Sequence, residues 1–515
     1  MFNFSLLYDR FLKVVLILFL IGFAAYFNSI PHPFVHDDVV FIQNNQTLGD
    51  WDDVPSLFLR SSTTDGTISI VNSYYRPLLD ILYKIQYALF GFDPHGYHLF
   101  NVLLHIANSI LVYRLILLLL KCHFDSNGKV LLHSPQALAF CTAIFFLIHP
   151  VQSEAVACIA GVSNLIFVFF CLLSLICYLK AGQKEFSGYG IWWYAAALIF
   201  FLAALFSKEQ AVMLPLLAGL LQFCFLGEFG QNSSNRGRRF LRLAGFFIVA
   251  CGYLLFRNTV AGNPLGSILT YKGELILRIL HIPDVLLMFL GILVFPYGLH
   301  YYRSTDILQP YFFSTAALIF FLGALVFLIK SLPRDSRRWL IFAGGWFFVT
   351  LLPVLNIVPL INEYSLILTA EHFLYLPMVG FVLFAFWLGS FVVRMIFKGR
   401  AGGVNVLLMS SLGLICMAAT IKQNTYWRGE IPLFERVVRF EKNFGRGHLL
   451  LAKAYYFHQE YDRAIVEYEI ALGIMQSYFK RAKVPEAQKF YLGFIQEIYF
   501  DLARCYEARD KKYSH

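Results

Sequence analysis

Apolar stretches of membrane-spanning length recur along most of this chain. They lie near residues 12–30, 97–120, 136–149, 162–179, 191–206, 211–227, 240–257, 311–330, 338–358, 372–396 and 404–421. Each is long enough, or nearly so, for a hydrocarbon core about 30 Å thick. Backbone N–H and C=O groups in lipid find no water, so such runs satisfy themselves as helices. The expected fold is therefore all-α, a polytopic membrane protein of about 11–13 transmembrane helices. The stretch 284–300 is another span, a hairpin or a re-entrant segment. Composition agrees: 58% of residues are hydrophobic and 14% charged, where a soluble protein carries nearly twice that charged fraction. The first apolar run lacks a small-residue cleavage site and reads as an anchor.

The net charge of +10 does not point to nucleic acid, because the basic residues collect in alternate loops. Arg10, Lys13, Lys121, Lys129, Lys180, Lys184, Arg236, Arg238, Arg239, Arg334, Arg337, Arg338, Lys398 and Arg400 agree on one face, the cytoplasmic one by the positive-inside rule. The opposite face receives 31–96, 150–161, 207–210, 258–310, 359–371 and everything after 422. Cysteines sit mostly inside apolar runs with no CxxC spacing and read as small core residues.

The outer face gathers the polar residues that need explaining. Its first loop, 31–96, holds Asp37, Asp38, Asp52, Asp53, Arg60, Asp65 and Arg76. Within it, 49–59 reads as an interfacial helix with Trp51, Leu57 and Phe58 dipping into lipid. Carboxylates beside lipid are costly and mark candidate sites of chemistry. His149, Glu154, Lys208, Glu209, Glu371 and His372 fall on the same expected face. His98, Asn101 and His105 lie at helical spacing and read as an interhelical hydrogen-bond network.

After residue 422 the composition turns polar and charged. Leu451, Ala452, Tyr455, Ala464, Tyr468 and Ala471, counted from Gly445, occupy key positions of a tetratricopeptide-like repeat. Leu502, Ala503 and Tyr506 match the first helix of a second repeat counted from Gln496, with 476–495 as an insertion. So short an array must lean on the membrane domain or a partner. The expected division is 1–422 for the membrane domain and 423–515 for an extracytoplasmic tetratricopeptide-like helical domain.

Taken together, Phe34-Val-His-Asp-Asp38, Tyr75-Arg-Pro-Leu78, Gly96-Tyr-His-Leu-Phe-Asn-Val-Leu-Leu-His105, His149-Pro-Val-Gln-Ser-Glu-Ala155, Ser207-Lys-Glu-Gln210 and Glu371-His-Phe-Leu-Tyr-Leu-Pro377 resemble motifs of the transmembrane and tetratricopeptide repeat-containing O-mannosyltransferases and their bacterial relatives. These belong to the GT-C glycosyltransferase superfamily. The resemblance runs from about residue 10 to 421. Two places depart from it: Gly161-Val-Ser-Asn164 stands where the family often has Gly-Arg-Ala-Asp, and Glu371-His372 where it often has Glu-Arg.

The resemblance implies a GT-C fold and an inverting transfer of a sugar, mannose in the family, from a polyprenyl-phosphate donor to a protein hydroxyl. Such a displacement needs a base for the acceptor proton and cations on the leaving phosphate. Carried over, Asp37 is the base, and Asp38 orients it, holds the acceptor or raises its pKa by like-charge proximity. Arg76, Lys208 and His372 are the candidate phosphate ligands. Tyr75, His149, Glu154, Glu209 and Glu371 are substrate-binding or structural, with Glu154 taking sugar hydroxyls or positioning Arg76. The bland alternatives are snorkelling for Arg76, an ion pair for Lys208 and a helix-dipole acid for Glu154. No metal or other cofactor is expected; a divalent cation on Asp37, Asp38 and Glu371 is the alternative. The partners implied are the lipid-linked sugar, membrane lipid and a protein or peptide held by the tail. The membrane is the plasma (inner) membrane, or the endoplasmic reticulum in a eukaryote. Competing readings keep the donor but change the acceptor to a cell-envelope glycan or lipid, or make the chain a non-catalytic transporter of lipid-linked sugar or a scaffold. Transporters place charges near the midplane, whereas these gather at one surface.

Overall fold

The structure, a computed structural model, describes residues 4–62, 74–124, 135–183, 189–225, 234–261, 276, 278–304, 311–332, 334–355, 368–397, 401–482 and 485–513. Asp65, Lys129, Lys184, Lys398 and Arg400 lie outside them. Each apolar run read from the sequence carries a helix among its described residues, and Pro77–Phe90 in the first outer loop forms one more. In chain order these are α1 (Phe4–Tyr26), α2 (Pro77–Phe90), α3 (Pro94–Phe124), α4 (Pro135–Ile148), α5 (Val162–Gln183), α6 (Gly190–Ser207), α7 (Leu214–Cys224), α8 (Ser234–Ala261), α9 (Ile282–Val294), α10 (Tyr311–Ser331), α11 (Arg334–Leu351), α12 (Pro377–Phe397) and α13 (Ala401–Asn424). Among the described residues 7 helices are long and apolar enough to cross a membrane, or up to 8 if the bent pair around His149 is one span. The segments Glu209–Cys224, Ile282–Val294 and Pro377–Ser390 are shorter apolar helices. The stretch read as a span, hairpin or re-entrant segment is thus mainly the 13-residue helix α9. The one strand pair among the described residues is β1 (Arg303–Ser304) against β2 (Leu368–Thr369), antiparallel, with Arg303 opposite Thr369. The fold is all-α in class.

One buried core runs through the bundle, with α5 along α6, α11 along α12, and α3 against α4 and α5. α3 also carries the polar stripe seen in the sequence, and its partners explain it. Pro150 cannot continue α4, so the chain breaks there and its carbonyls need donors inside the protein. Asn101 Nδ2 supplies one to the oxygens of Val156, Cys158 and Ile159 at 3.0–3.3 Å. His105 Nε2 lies 2.9 Å from Leu147 O, and its Nδ1 lies 2.7 Å from the Tyr375 hydroxyl. Asn108 Nδ2 reaches Leu165 O at 2.9 Å. Gly161 closes the break: a Cβ there would lie 2.4 Å from Ala155 O, so the close backbone approach admits only glycine.

The first loop differs from its expected form. Only Val54–Leu57 is helical in 49–59, and Leu57 is buried while Trp51 is exposed. The reason is α2, whose buried Lys84 pulls this segment inward. Its Nζ pairs with Asp53 Oδ1 at 2.8 Å and donates to Asp50 O at 2.5 Å and to Thr47 O. Asp53 also takes Arg60 at 2.7 Å. A buried ammonium surrounded by oxygens outweighs lipid contact for a short apolar turn.

The chain after α13 forms α14 (Glu430–Phe440), α15 (Gly445–Phe457), α16 (Tyr461–Arg481) and α17 (Pro485–Tyr513). The residues read as repeat positions, Leu451, Ala452, Tyr455, Ala464, Tyr468 and Ala471, are all buried between these helices. Two readings need correction. The stretch 476–495 is mostly helix, the end of α16 and the start of α17, and Gln496 lies inside a single 29-residue helix rather than at its start. Ala503 and Tyr506 are exposed, and Cys505 takes the inward position with Leu502. The tail leans on the membrane bundle: Val35, Ala157, Cys158 and Tyr301 share one core with Trp427, Phe434, Val437 and Phe444.

Candidate active site

The acid motif follows from how α1 ends. Pro31 and Pro33 forbid further helix, and His36 turns the chain at φ 50°. Asp37 and Asp38 come out of this turn into opposite environments. Asp38 is 0% exposed. Its Oδ1 accepts from Ala160 N at 2.7 Å and its Oδ2 from Val35 N at 3.2 Å, with Cys158 Sγ 3.6 Å away. Burial lifts its carboxyl to about 7, against the pull of the two N–H donors. The Asp37 side chain is 38% exposed. Its Oδ2 accepts from the Tyr301 hydroxyl at 3.0 Å, and its Oδ1 lies 3.4 Å from His36 Nε2. Asp38 clamps the acid loop to the break after α4, and Asp37 is the carboxylate that solvent reaches.

Arg76 and Glu209 form a buried fork. Arg76 Nε lies 3.2 and 3.0 Å from the two Glu209 oxygens, and its Nη2 donates at 2.9 Å. The guanidinium also covers the Tyr74 ring at 4.3 Å. Lys208, one residue earlier than Glu209, is handled differently. It sits in an extended break between α6 and the next turn, 4% exposed, and its Nζ donates to Asn164 Oδ1 at 2.5 Å. No carboxylate lies within ion-pair distance of it among the described residues. Burial and the nearby Arg76 lower its ammonium to about 7.

Glu154 does not hold Arg76, as one sequence reading had it. It accepts from His372 N at 3.0 Å and faces His372 Nδ1 at 2.7 Å. Glu371, 1% exposed, takes His300 N at 2.6 Å and Arg303 Nη2 at 3.0 Å on Oε1. Burial raises its carboxyl, and Arg303 opposes the rise. Two other candidates are occupied by structure. The Tyr75 hydroxyl donates to Phe58 O at 2.9 Å; His149 Nδ1 accepts from Val151 N at 3.3 Å and its Nε2 lies 3.1 Å from Leu293 O. Asp37, Asp38 and Glu371 do not converge: among the described residues no group of three His, Cys, Asp or Glu side chains is placed to hold a metal.

The structure adds His300, Tyr301 and Arg303, which the sequence reading left unassigned. They lie on an irregular stretch between α9 and β1, and the only signal was a polar and aromatic run, His300-Tyr-Tyr-Arg303, after an apolar helix. His300 stacks on Phe440 at 5.1 Å and its Nε2 lies 3.2 Å from Glu441 Oε1. The site is thus built from the end of α1, the α4–α5 break, the α6–α7 break, the β1–β2 pair and α14.

No family model matches this chain. It is 25% identical over 458 residues to a human protein O-mannosyl-transferase, TMTC4, covering 80% of this chain and 60% of that one. A Caenorhabditis elegans protein O-mannosyl-transferase, F38B6.6, is 25% identical over 82% of this chain and 57% of its own length. Human protein O-mannosyl-transferase TMTC2 reaches 31% over a shorter stretch, 37% of this chain and 22% of its own. The chain therefore spans about 60% of the length of the first of these relatives. A crystal structure of an Archaeoglobus fulgidus oligosaccharyltransferase in its apo form overlays 81% of this chain on 55% of that one with a TM-score of 0.35 and 13% identity, a partial overlay only. Over about four fifths of its length, then, this helical membrane protein is similar to the protein O-mannosyl-transferases.

Proposed function

We propose that the chain is an inverting glycosyltransferase of GT-C type that moves a sugar, mannose first among the candidates, from a polyprenyl-phosphate carrier to a protein hydroxyl. The observation that carries this reading is the split of the acid pair. One carboxylate is spent on backbone N–H groups, and its neighbour is left open at the end of the bundle where a buried, carboxylate-free Lys208 lies.

Asp37 takes the proton of the acceptor hydroxyl as that oxygen attacks the anomeric carbon. The bond from the anomeric carbon to the phosphate oxygen breaks in the same displacement, and the configuration inverts. The departing lipid phosphate carries the new negative charge. Lys208 meets it as a point charge, with the Arg76 guanidinium adding positive potential nearby. His372, held by Glu154, is the third candidate ligand for the phosphate. Glu371 orders Arg303 and the 298–303 turn at the rim. No step calls for a metal or other cofactor.

The outer, extracytoplasmic face is supported by where the loop charges sit. Lys180 closes α5 at the end away from Asn164, and Arg334, Arg337 and Arg338 open α11 at the end away from the site. The tail, α14 to α17, reads as a tetratricopeptide-like module packed on the site, suited to holding an extended peptide. The similarity to protein O-mannosyl-transferases supports a protein acceptor. The membrane is the plasma (inner) membrane, or the endoplasmic reticulum in a eukaryotic source. The test uses purified protein in lipid with a panel of radiolabelled polyprenyl-phosphate sugars and peptide acceptors, comparing parent with Asp37→Asn. Label reaching peptide from one donor, with the opposite anomeric configuration, and lost in the variant, is the expected result. No turnover of any donor by a folded parent overturns the reading.

A further inference from the structure

Asp37 stays open to solvent on one side, and the groups that border it on the other come from separate parts of the chain. Tyr301, from the irregular stretch after α9, donates its hydroxyl to Oδ2 at 3.0 Å. Its ring lies edge-on to His36 at 5.4 Å and to Trp427 at 5.6 Å, and packs on Tyr302 at 4.1 Å. Tyr302 sits at φ 56°, a left-handed turn that sends Tyr301 toward Asp37 and Arg303 toward Glu371. From the tail, α14 sets Phe434 edge-on to His36 at 5.4 Å, and Glu430 Oε1 accepts from His36 N at 3.4 Å. The phenol is buried in the core that the tail shares with the acid loop.

We propose that Tyr301 is a positioning residue for Asp37: its hydroxyl fixes one carboxylate oxygen so that the other faces the acceptor, Trp427 of the tail holds the ring in that pose, and α14 steadies it through His36. The inference rests on Asp37 being the base of the proposed transfer. A donor on the carboxylate form favours that form, and a fixed lone-pair direction raises the fraction of productive encounters. Burial holds the Tyr301 phenol far above its ordinary range, so it remains a donor across the working pH. The other titratable groups facing Asp37 are His36, Asp38, Tyr83 and Cys158, with Glu430 behind His36. Among the described residues only Tyr301 makes a hydrogen bond to it within 3.0 Å.

The test is Tyr301→Phe in the full chain in lipid, assayed with polyprenyl-phosphate mannose and a peptide acceptor. The expected result is a fall of about 10-fold in kcat with the donor KM unchanged. The acid limb of the kcat/KM profile, which a merely structural role would not move, should also shift upward. A profile whose acid limb stays in place overturns the inference, even if kcat falls. If Tyr301→Phe does not fold, Phe434→Ala decides: a smaller upward shift supports the lock, and an unmoved limb overturns it. Asp37→Asn separates the two levels. Parent-like turnover in Asp37→Asn removes the base itself. An inactive Asp37→Asn beside a parent-like Tyr301→Phe removes only the positioning role.

Discussion

Lys208 and Glu209 are neighbours in the chain and opposites in the structure. Glu209 receives a guanidinium fork from Arg76. Lys208, equally buried, receives the neutral amide of Asn164. A paired buried charge is compensated, and breaking the pair costs several kcal/mol. An unpaired buried ammonium is a standing cost, visible in how readily Lys208 would give up its proton. On the proposed reading the difference separates a girder from a binding group: one station is complete, and the other would gain from the donor phosphate. The acid pair repeats the pattern, with Asp38 complete and Asp37 open.

Four measurements break or sharpen this contrast. The largest effect belongs to the open acid. Asp37→Asn should lower turnover by about 10³-fold or more, while leaving donor binding within a few fold. If Asp38→Asn gave the pure kinetic defect instead, with unchanged thermal unfolding, the acid pair would be assigned the wrong way round. Second, Lys208→Met should lower kcat/KM by about 10²–10³-fold and at the same time raise the unfolding temperature, because it removes an uncompensated buried charge. Third, Glu209→Gln should do the reverse to stability, costing about 3–5 kcal/mol by stranding Arg76; unfolding in detergent followed by circular dichroism would measure both. A destabilised Lys208→Met would mean that Asn164 satisfies the lysine fully.

The smallest effect is in pH. A donor phosphate favours the charged form of Lys208, so binding takes up a proton where the free group is neutral. With the free group near 7, affinity should weaken as pH rises from 7 to 9, toward about tenfold per unit once binding requires the proton. Calorimetric titration in two buffers of different ionisation heat would show the uptake. In Lys208→Arg the slope should flatten, because guanidinium keeps its charge over that range.

Much of this was legible in the chain. The apolar runs placed the helices because lipid leaves the backbone no other partner. The spacing of Leu451, Tyr455, Ala464 and Tyr468 placed the core of the tail, since i, i+4 residues share a helix face. Asn101 and His105 on α3 were readable as a network for the same reason, whereas His98 packs edge-on against His32 and makes no side-chain hydrogen bond in it. Three things were not. The partner of Glu154 was misjudged, because its contact with His372 joins segments 218 positions apart. The helix at 49–59 shrinks to Val54–Leu57 with Leu57 turned inward, because the buried Lys84 draws Asp50 and Asp53 toward α2. The positions read as opening a second repeat at Gln496 do not start a helix, since α17 runs unbroken from Pro485 and contains them.

The sequence by itself determined an all-α membrane protein, the loops that carry its charges and the residue types available for chemistry. Those follow from transfer free energies and helical periodicity, which are local properties of the chain. Only the tertiary structure decided which charges neutralise each other and which stay open. It set Asp38 on the Ala160 amide and left Asp37 to Tyr301, and it set Arg76 on Glu209 and left Lys208 to Asn164. It also brought Tyr301 and α14 to the acid loop from 264 and about 400 positions away. Pairing depends on distance in space, and on the water each pair excludes, and neither is written in the order of residues along the chain.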